Sequence, residues 1–254
     1  MDEAAASSSI RVAVLGAAGR MGSTVCAAVE DAEGMELVAR LDLGDDVASL
    51  AGVADVAVDF TVPSATEANV HALIDAGVHA VVGTTGWQAD ALDRVREHAD
   101  RAGQDIGVLI APNFALSAVL AMHLATQAAR FFESVEVIEL HHPNKVDAPS
   151  GTAVHTAQSI AAARQGMPAA PDATETALDG ARGAVVDGVP VHSVRLRGLV
   201  AHEEILLGNP GEQLTIRTDN FDRSSFMPGV LIAVRTIADH PGLQVGLDSL
   251  LDLD

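Results

Sequence analysis

Short runs of branched apolar residues alternate with longer amphipathic stretches through the first half of this chain. Residues 10–15, 35–41, 56–60, 78–82 and 106–110 read as strands, and residues 19–30, 63–76 and 88–102 as helices. Strands this apolar leave no face for water, so the alternation predicts a parallel sheet with helices on both sides. After Phe114 the pattern changes. Residues 116–130 read as a helix with an alanine-rich side, and 134–141 as a strand that alternates apolar with polar. Residues 142–151 are polar, hold two prolines and read as a loop. A helix over 152–164 follows, with Ser150 or Thr152 as its cap. A Gly-, Pro- and Ala-rich excursion covers 166–189. Strands over 191–197, 202–207 and 213–218 then form an antiparallel or mixed sheet, with Asn209-Pro210-Gly211 turning between the last two. A final helix over 223–239 returns to the first domain.

The fold class that follows is α/β. A Rossmann-like dinucleotide-binding domain is expected over 10–112 and a second, α+β domain over 113–220. Residues 221–254 go back to the first, and residues 1–9 form a disordered leader.

Composition narrows the classes of partner. The 254 residues are 48% hydrophobic, which suits an ordered globular protein rather than an acidic tail. A net charge of -20 argues against nucleic acid and against anionic membrane, because both need clustered Lys and Arg. No segment resembles a signal peptide or a membrane span. The single cysteine, Cys26, excludes an intramolecular disulfide and a thiolate metal cluster, as expected of a reducing cytoplasm.

The first strand runs straight into Gly16-Ala17-Ala18-Gly19-Arg20-Met21-Gly22. Small residues here permit a tight turn, and the helix that follows points bare N–H groups at a pyrophosphate. An ordinary strand-to-helix turn has the same composition, so the loop alone decides little. Asp42, at the end of the second strand, adds a carboxylate placed to accept hydrogen bonds from an adenosine ribose and to repel a 2'-phosphate. That favours NADH, while Arg20 and Arg40 nearby leave NADPH tolerated. Two more loops follow carboxyl ends of strands, where ligands bind such sheets: Gly83-Thr84-Thr85-Gly86 and Ala111-Pro112-Asn113-Phe114. Thr84, Thr85 and Asn113 bring hydrogen-bonding groups toward a nicotinamide, though routine turn chemistry reads the same way.

The segment Glu139-Leu140-His141-His142-Pro143-Asn144-Lys145-Val146-Asp147-Ala148-Pro149-Ser150-Gly151-Thr152 leaves a strand and ends at a helix start. It packs two imidazoles and the chain's only lysine into five positions. Ser150, Gly151 and Thr152 add hydroxyls and N–H groups that suit a carboxylate. Metal binding lacks a spaced third ligand of the usual zinc kind, so no metal is expected. A loop-stabilising role for His142 and Asp147, with a solvated Lys145, stays open beside an anion-binding or proton-transfer role.

Together these pieces resemble the dihydrodipicolinate reductase family, also called 4-hydroxy-tetrahydrodipicolinate reductases. Asp59-Phe60-Thr61, Gly198-Leu199-Val200-Ala201-His202-Glu203 and Ser225-Phe226-Met227-Pro228-Gly229 add to the likeness, which runs from about residue 10 to the end. The resemblance implies reduction of (2S,4S)-4-hydroxy-2,3,4,5-tetrahydrodipicolinate by NADH or NADPH, a small-dicarboxylate substrate and a homo-oligomer, a tetramer in the family. It further implies that Gly16, Ala17, Ala18, Gly19, Arg20 and Met21 cradle the pyrophosphate and that Asp42 meets the ribose. Gly83, Thr84, Thr85, Ala111, Pro112, Asn113 and Phe114 line the nicotinamide side. By the same resemblance His141 and Lys145 are catalytic, and His142, Lys145, Ser150, Gly151 and Thr152 bind substrate. Ala17 and Ala18 put no cation beside Gly16, and Asn144 stands where the family often has a basic residue.

Overall fold

The computed structural model describes residues 9–102 and 105–253. The expected leader over 1–9 therefore lies outside the described residues, apart from Ser9. In chain order the elements are β1 (Ile10–Leu15), α1 (Arg20–Asp31), β2 (Met35–Leu41), β3 (Val56–Asp59), α2 (Pro63–Asp75), β4 (His79–Val82), α3 (Ala89–Arg101) and β5 (Gly107–Ile110). Then come α4 (Leu116–Ala129), β6 (Ser134–His141), α5 (Gly151–Ala163), β7 (Ala184–Val186), β8 (Val189–Arg195), β9 (Ala201–Asn209), β10 (Glu212–Asn220), α6 (Met227–Thr236) and β11 (Gly242–Val245). The chain divides into two compact units. One runs to Phe114 and resumes at Phe226; the other is Ala115–Ser225.

The first unit holds a six-stranded sheet in the order β11-β5-β4-β3-β1-β2, every neighbouring pair parallel. Val12, Ala13 and Val14 of β1 are fully buried, as are Val56, Ala57 and Val58 of β3 to within 1%. Each buried Val, Leu or Ile contributes about 1.5–3 kcal/mol. The order reverses between β1 and β3, since β1 leads first to β2 on one side and the chain then crosses to the other. Ligands bind such sheets at that crevice, beyond the carboxyl ends of the strands.

Two features of this unit differ from the sequence reading. The last strand, β11, has no counterpart there: Gly-Leu-Gln-Val carries no alternation and becomes a strand by pairing with the β5 backbone. The helix expected over 223–239 is broken into a 3-10 turn, α6 and a second 3-10 turn. Pro228 accounts for the start of α6, because proline has no N–H to give a preceding turn.

The second unit is a mixed sheet, β10-β9-β6-β8-β7, in which only β6 and β8 run parallel. Inward residues Val135, Val137, Val191, Ile205 and Leu207 form its core with Ala125, Ala129, Ala153, Ala157 and Ile160 of α4 and α5. Alanine at those positions lets the helices lie close to the sheet. The excursion expected over 166–189 ends in a hairpin of β7 and β8 around Asp187-Gly188, both with positive φ (47° and 88°), the backbone of a two-residue hairpin turn. Among the described residues no helix is long and apolar enough to cross a membrane.

Candidate active site

In the first unit the glycine loop closes tightly on its own strand. Gly16 has φ +75°, and a Cβ there would lie 2.8 Å from the Phe60 carbonyl oxygen. A Cβ on Gly22 would come within 2.0 Å of the Gly16 carbonyl oxygen, so α1 can pack this close only without a side chain. Gly19 is the residue before the helix and supplies no side-chain cap, which leaves the first turn of α1 to a ligand or water. Asp42 stands beside this turn, accepting the Ala18 N–H at 3.1 and 3.2 Å. Gly16, Gly19, Asp42, Phe60, Thr61 and Asn69 are among the residues lining a groove of about 420 Å³ at the β1/β3 crevice. Arg40 is paired with Glu30 of α1, and Arg20 is exposed in the first turn.

The carboxyl end of β3 carries a residue to which the sequence reading gave no role. Asp59 is fully buried, and its carboxylate accepts five hydrogen bonds from neutral donors. Thr61 N–H (2.8 Å), Thr61 Oγ1 (2.7 Å) and Thr84 Oγ1 (3.1 Å) reach one oxygen; Thr66 Oγ1 (3.3 Å) and Asn69 Nδ2 (3.0 Å) reach the other. A buried carboxylate is tolerated only when satisfied in this way. Asp59 thereby ties the loops after β3 and β4 to α2. The Thr84 hydroxyl is committed to it and faces inward, so exposed Thr85 is the side chain this loop offers a ligand.

Aromatic contact joins the third loop. The Phe60 ring fills the space a Cβ on Gly83 would need, 2.0 Å from its Cε1, and lies 5.9 Å from the Phe114 ring. Phe114 and Ala111 are buried, Pro112 is exposed and Asn113 is half-buried. Gly16, Gly83 and Phe114, spread over 98 positions of sequence, thus meet through Phe60.

In the second unit the centre is His141, the last residue of β6. Its Nδ1 lies 2.5 Å from Glu139 Oε2. Glu139 is two residues earlier on the same face of the strand and fully buried. Arg195 of β8 grips Glu139 with both guanidinium nitrogens, at 2.7 and 2.8 Å, and the Ser150 N–H adds a bond of 3.1 Å. Burial pushes the Glu139 carboxyl up, but hydrogen bonds from Arg195, Ser193 and His141 outweigh it and hold the carboxyl below the usual range. Glu139 is therefore ionised, and the neutral imidazole donates from Nδ1, leaving Nε2 as its other ring nitrogen for chemistry. Burial also lowers the His141 pKa against the raising effect of Glu139; Lys145 and Arg195 lower it further.

The loop that follows is pinned at both ends. Arg195 Nη2 also donates to the Asp147 carbonyl at 2.7 Å, and Ser150 caps α5 by accepting the Ala153 N–H at 3.2 Å. Lys145 pairs with Asp147 at 2.8 Å, which holds the Asp147 carboxyl below its usual value. His142 is exposed, and a Cβ on Gly151 would meet open space. His141, Lys145, Ser150 and the N-terminal turn of α5 thus occupy one corner of this unit. A loop that presents an ammonium beside a helix start suits an anion bearing carboxylates. The sequence reading placed Glu139 at the head of the loop segment but gave neither it nor Arg195 a role. The i, i+2 spacing of Glu139 and His141 on an alternating strand was the available signal.

Comparison with known proteins agrees with both halves. Family profiles described as the dihydrodipicolinate reductase N-terminus and C-terminus match residues 10–114 and 117–251. The chain belongs to the dihydrodipicolinate reductase family. The curated 4-hydroxy-tetrahydrodipicolinate reductase of Beutenbergia cavernae is 75% identical over 246 residues, covering 96% of this chain and 99% of that one. The corresponding protein of Corynebacterium efficiens is 60% identical, over 96% and 99%. A solved dipicolinate-bound dihydrodipicolinate reductase from Paenisporosarcina sp. TG-14 superposes with a TM-score of 0.86 at 37% identity, over 96% of this chain and all of that one. For the dihydrodipicolinate reductase family the α/β class and the Rossmann-like first unit inferred from the alternation of strands and helices hold in this chain.

Proposed function

We propose that this chain reduces (2S,4S)-4-hydroxy-2,3,4,5-tetrahydrodipicolinate to 2,3,4,5-tetrahydrodipicolinate and water with NADH, tolerating NADPH, on the diaminopimelate route to lysine. The observation that carries the reading is the Arg195–Glu139–His141 line of contacts beside Lys145 and the start of α5, in a chain with a dinucleotide-type crevice in its other unit.

The first unit fits a dinucleotide: the Gly16 and Gly22 close approaches leave room for backbone only, and the bare first turn of α1 faces the groove. Gly16, Ala17, Ala18, Gly19, Arg20 and Met21 would hold its pyrophosphate, Asp42 its ribose, and the loops at 83–85 and 111–114 its nicotinamide. When bound, a dihydronicotinamide supplies a hydride. In the second unit Lys145 and the N–H groups of Gly151 and Thr152 bind the substrate carboxylates, with Ser150 and His142 beside them. His141, oriented by Glu139 through Nδ1–H, takes up a proton at Nε2 as the imidazolium and passes it to the carbon skeleton. Lys145 adds positive charge where electron density develops.

The direct test is loss of NADH absorbance with freshly generated substrate; folded protein that shows no substrate-dependent oxidation would refute the reading. A nucleotide-binding module without turnover would bind NADH and ignore pyridine-2,6-dicarboxylate, whereas here calorimetry is expected to show both ligands binding.

Two variants probe the first unit. Gly22→Ala places a methyl group against the Gly16 carbonyl and is expected to weaken NADH at least ~10-fold, about 1.4 kcal/mol, with dicarboxylate binding unchanged by calorimetry. Asp42→Asn keeps an acceptor for the Ala18 N–H but removes the charge. The kcat/KM ratio of NADPH to NADH is expected to rise roughly 10-fold, because the lost repulsion of a 2'-phosphate is worth about 1.4 kcal/mol. An unchanged ratio would remove Asp42 from cofactor choice.

The protein is assigned to the cytoplasm and to a homotetramer built on the second unit's sheet. The edge strand β10 exposes Gln213, Leu214 and Thr215 and offers unpaired backbone to a second copy. Light scattering reads the subunit number.

A further inference from the structure

The inner face of the second unit's sheet changes character along β6. Val191, Val137 and Ile205 form an apolar row across β8, β6 and β9; the next row toward the site is Ser193, Glu139 and Glu203. Glu203 is the cross-strand partner of Glu139 in an antiparallel pair, where opposed side chains are near neighbours. It is 5% exposed. One carboxyl oxygen accepts the Thr156 hydroxyl of α5 at 3.1 Å, and the other, Oε1, has no hydrogen-bond partner.

Among the described residues no cation pairs with it. Arg195 spends its guanidinium on both Glu139 oxygens and on the carbonyls of Val194 and Asp147. From β10 the facing residue is Thr218, whose hydroxyl is bonded to Ser117 of α4, and α5 contributes the Thr156 hydroxyl. From β6 the charged group is Glu139, which carries His141. Two neighbouring buried carboxyls do not both ionise in the ordinary carboxylate range when one cation serves only the first; the second gives up its proton at higher pH.

Resting on the assignment of proton transfer to His141, we propose that Glu203 is a positioning residue that acts through Glu139 to keep a second proton in the His141 cluster near neutral pH. Burial, reinforced by the Glu139 charge, pushes the Glu203 carboxyl up to about 7. While protonated it leaves Glu139 as the single negative charge under the imidazole. When it ionises, a second negative charge favours the imidazolium that burial alone disfavours. The two groups therefore titrate as a coupled pair, and His141 can act as an acid at a pH where it would otherwise be bare.

The test is an NMR titration from pH 5 to 9 of carboxyl-labelled Glu and ring-labelled His in the whole protein. In the wild type, Glu203 is expected to titrate near 7 and the His141 signal to move in two steps, the later one with Glu203. In Glu203→Gln, His141 is expected to move in one step and to retain its proton at least ~3-fold less at pH 7, and the matching inflection in kcat/KM is lost. Thr156→Val removes the one donor to Glu203 and is expected to move the later step to higher pH, which serves if Glu203→Gln folds poorly. Superimposable His141 titrations in wild type and variant, or a Glu203 carboxyl titrating in the usual glutamate range, overturn the proposal. The titration needs no turnover, so a failed reductase assay leaves this result readable and separates the two readings.

Discussion

Lys145→Ala is expected to lower kcat/KM for dicarboxylate reduction roughly 100- to 1,000-fold while NADH affinity stays within about twofold. Loss of one preorganised charged donor costs about 2.7–4 kcal/mol of transition-state stabilisation, which is that range of rate. Lys145 is the chain's single lysine, and the global charge of -20 opposes any anionic substrate. Its main chain is fixed by a bond of 3.2 Å to the His142 carbonyl, and its side chain is 22% exposed, poised beside Asp147 rather than extended into solvent. Lys145→Arg is expected to restore little, because a planar fork replaces a compact charge in a loop held at both ends. Steady-state NADH absorbance gives the first quantity and calorimetry the second. Equal losses in both would show that Lys145 supports the whole fold rather than the substrate.

The strands of the first unit were readable because a parallel sheet buried on both faces demands largely apolar runs, as in β3, β4 and β5; β1 and β2 also keep their expected bounds, although β2, at the sheet edge, carries Glu36 and Arg40. β11 was not readable, since its pairing with β5 depends on a backbone 135 residues earlier in the chain, from Gly242 back to Gly107. The β7–β8 hairpin had a visible signal in Asp187-Gly188 that the Gly- and Pro-rich surroundings obscured. The candidate site divides in the same way. His141, Lys145 and Ser150 stood out because they are close in sequence. Their supports did not, because Arg195 and Glu203 reach Glu139 across strands 56 and 64 positions away. Asp59 is a similar case: its donors come from Thr61, Thr66, Asn69 and Thr84, and none is suggestive alone. Side chains that meet a ligand cluster in loops, whereas those that hold them are set by register.

The same register makes Arg195→Ala the variant with the largest expected effect on stability. Glu139 is completely buried, and its ionised state depends on the two Arg195 bonds. Removing one partner of a buried ion pair costs about 3–5 kcal/mol because the remaining charge is left uncompensated. In a chain of this size that lowers Tm by roughly 6–20 °C, at about 2–4 °C per kcal/mol. The pH dependence follows from the depressed Glu139 carboxyl. Its contribution is fully present above the ordinary glutamate pKa of about 4.3 and is lost as pH falls through the lower value it has when folded. The gap between wild type and variant is therefore widest at neutral pH and closes in acid. Calorimetric melting from pH 8 down to about pH 2, below the ordinary glutamate range, checks both the size and the sign. Arg195 also holds the Asp147 carbonyl, so the variant releases the loop that carries Lys145. Activity should accordingly fall further than stability predicts, even at temperatures where the variant remains folded. A variant that melts like the wild type at pH 7 would mean that Glu139 takes a proton at little cost, and His141 would then lose the carboxylate that orients it.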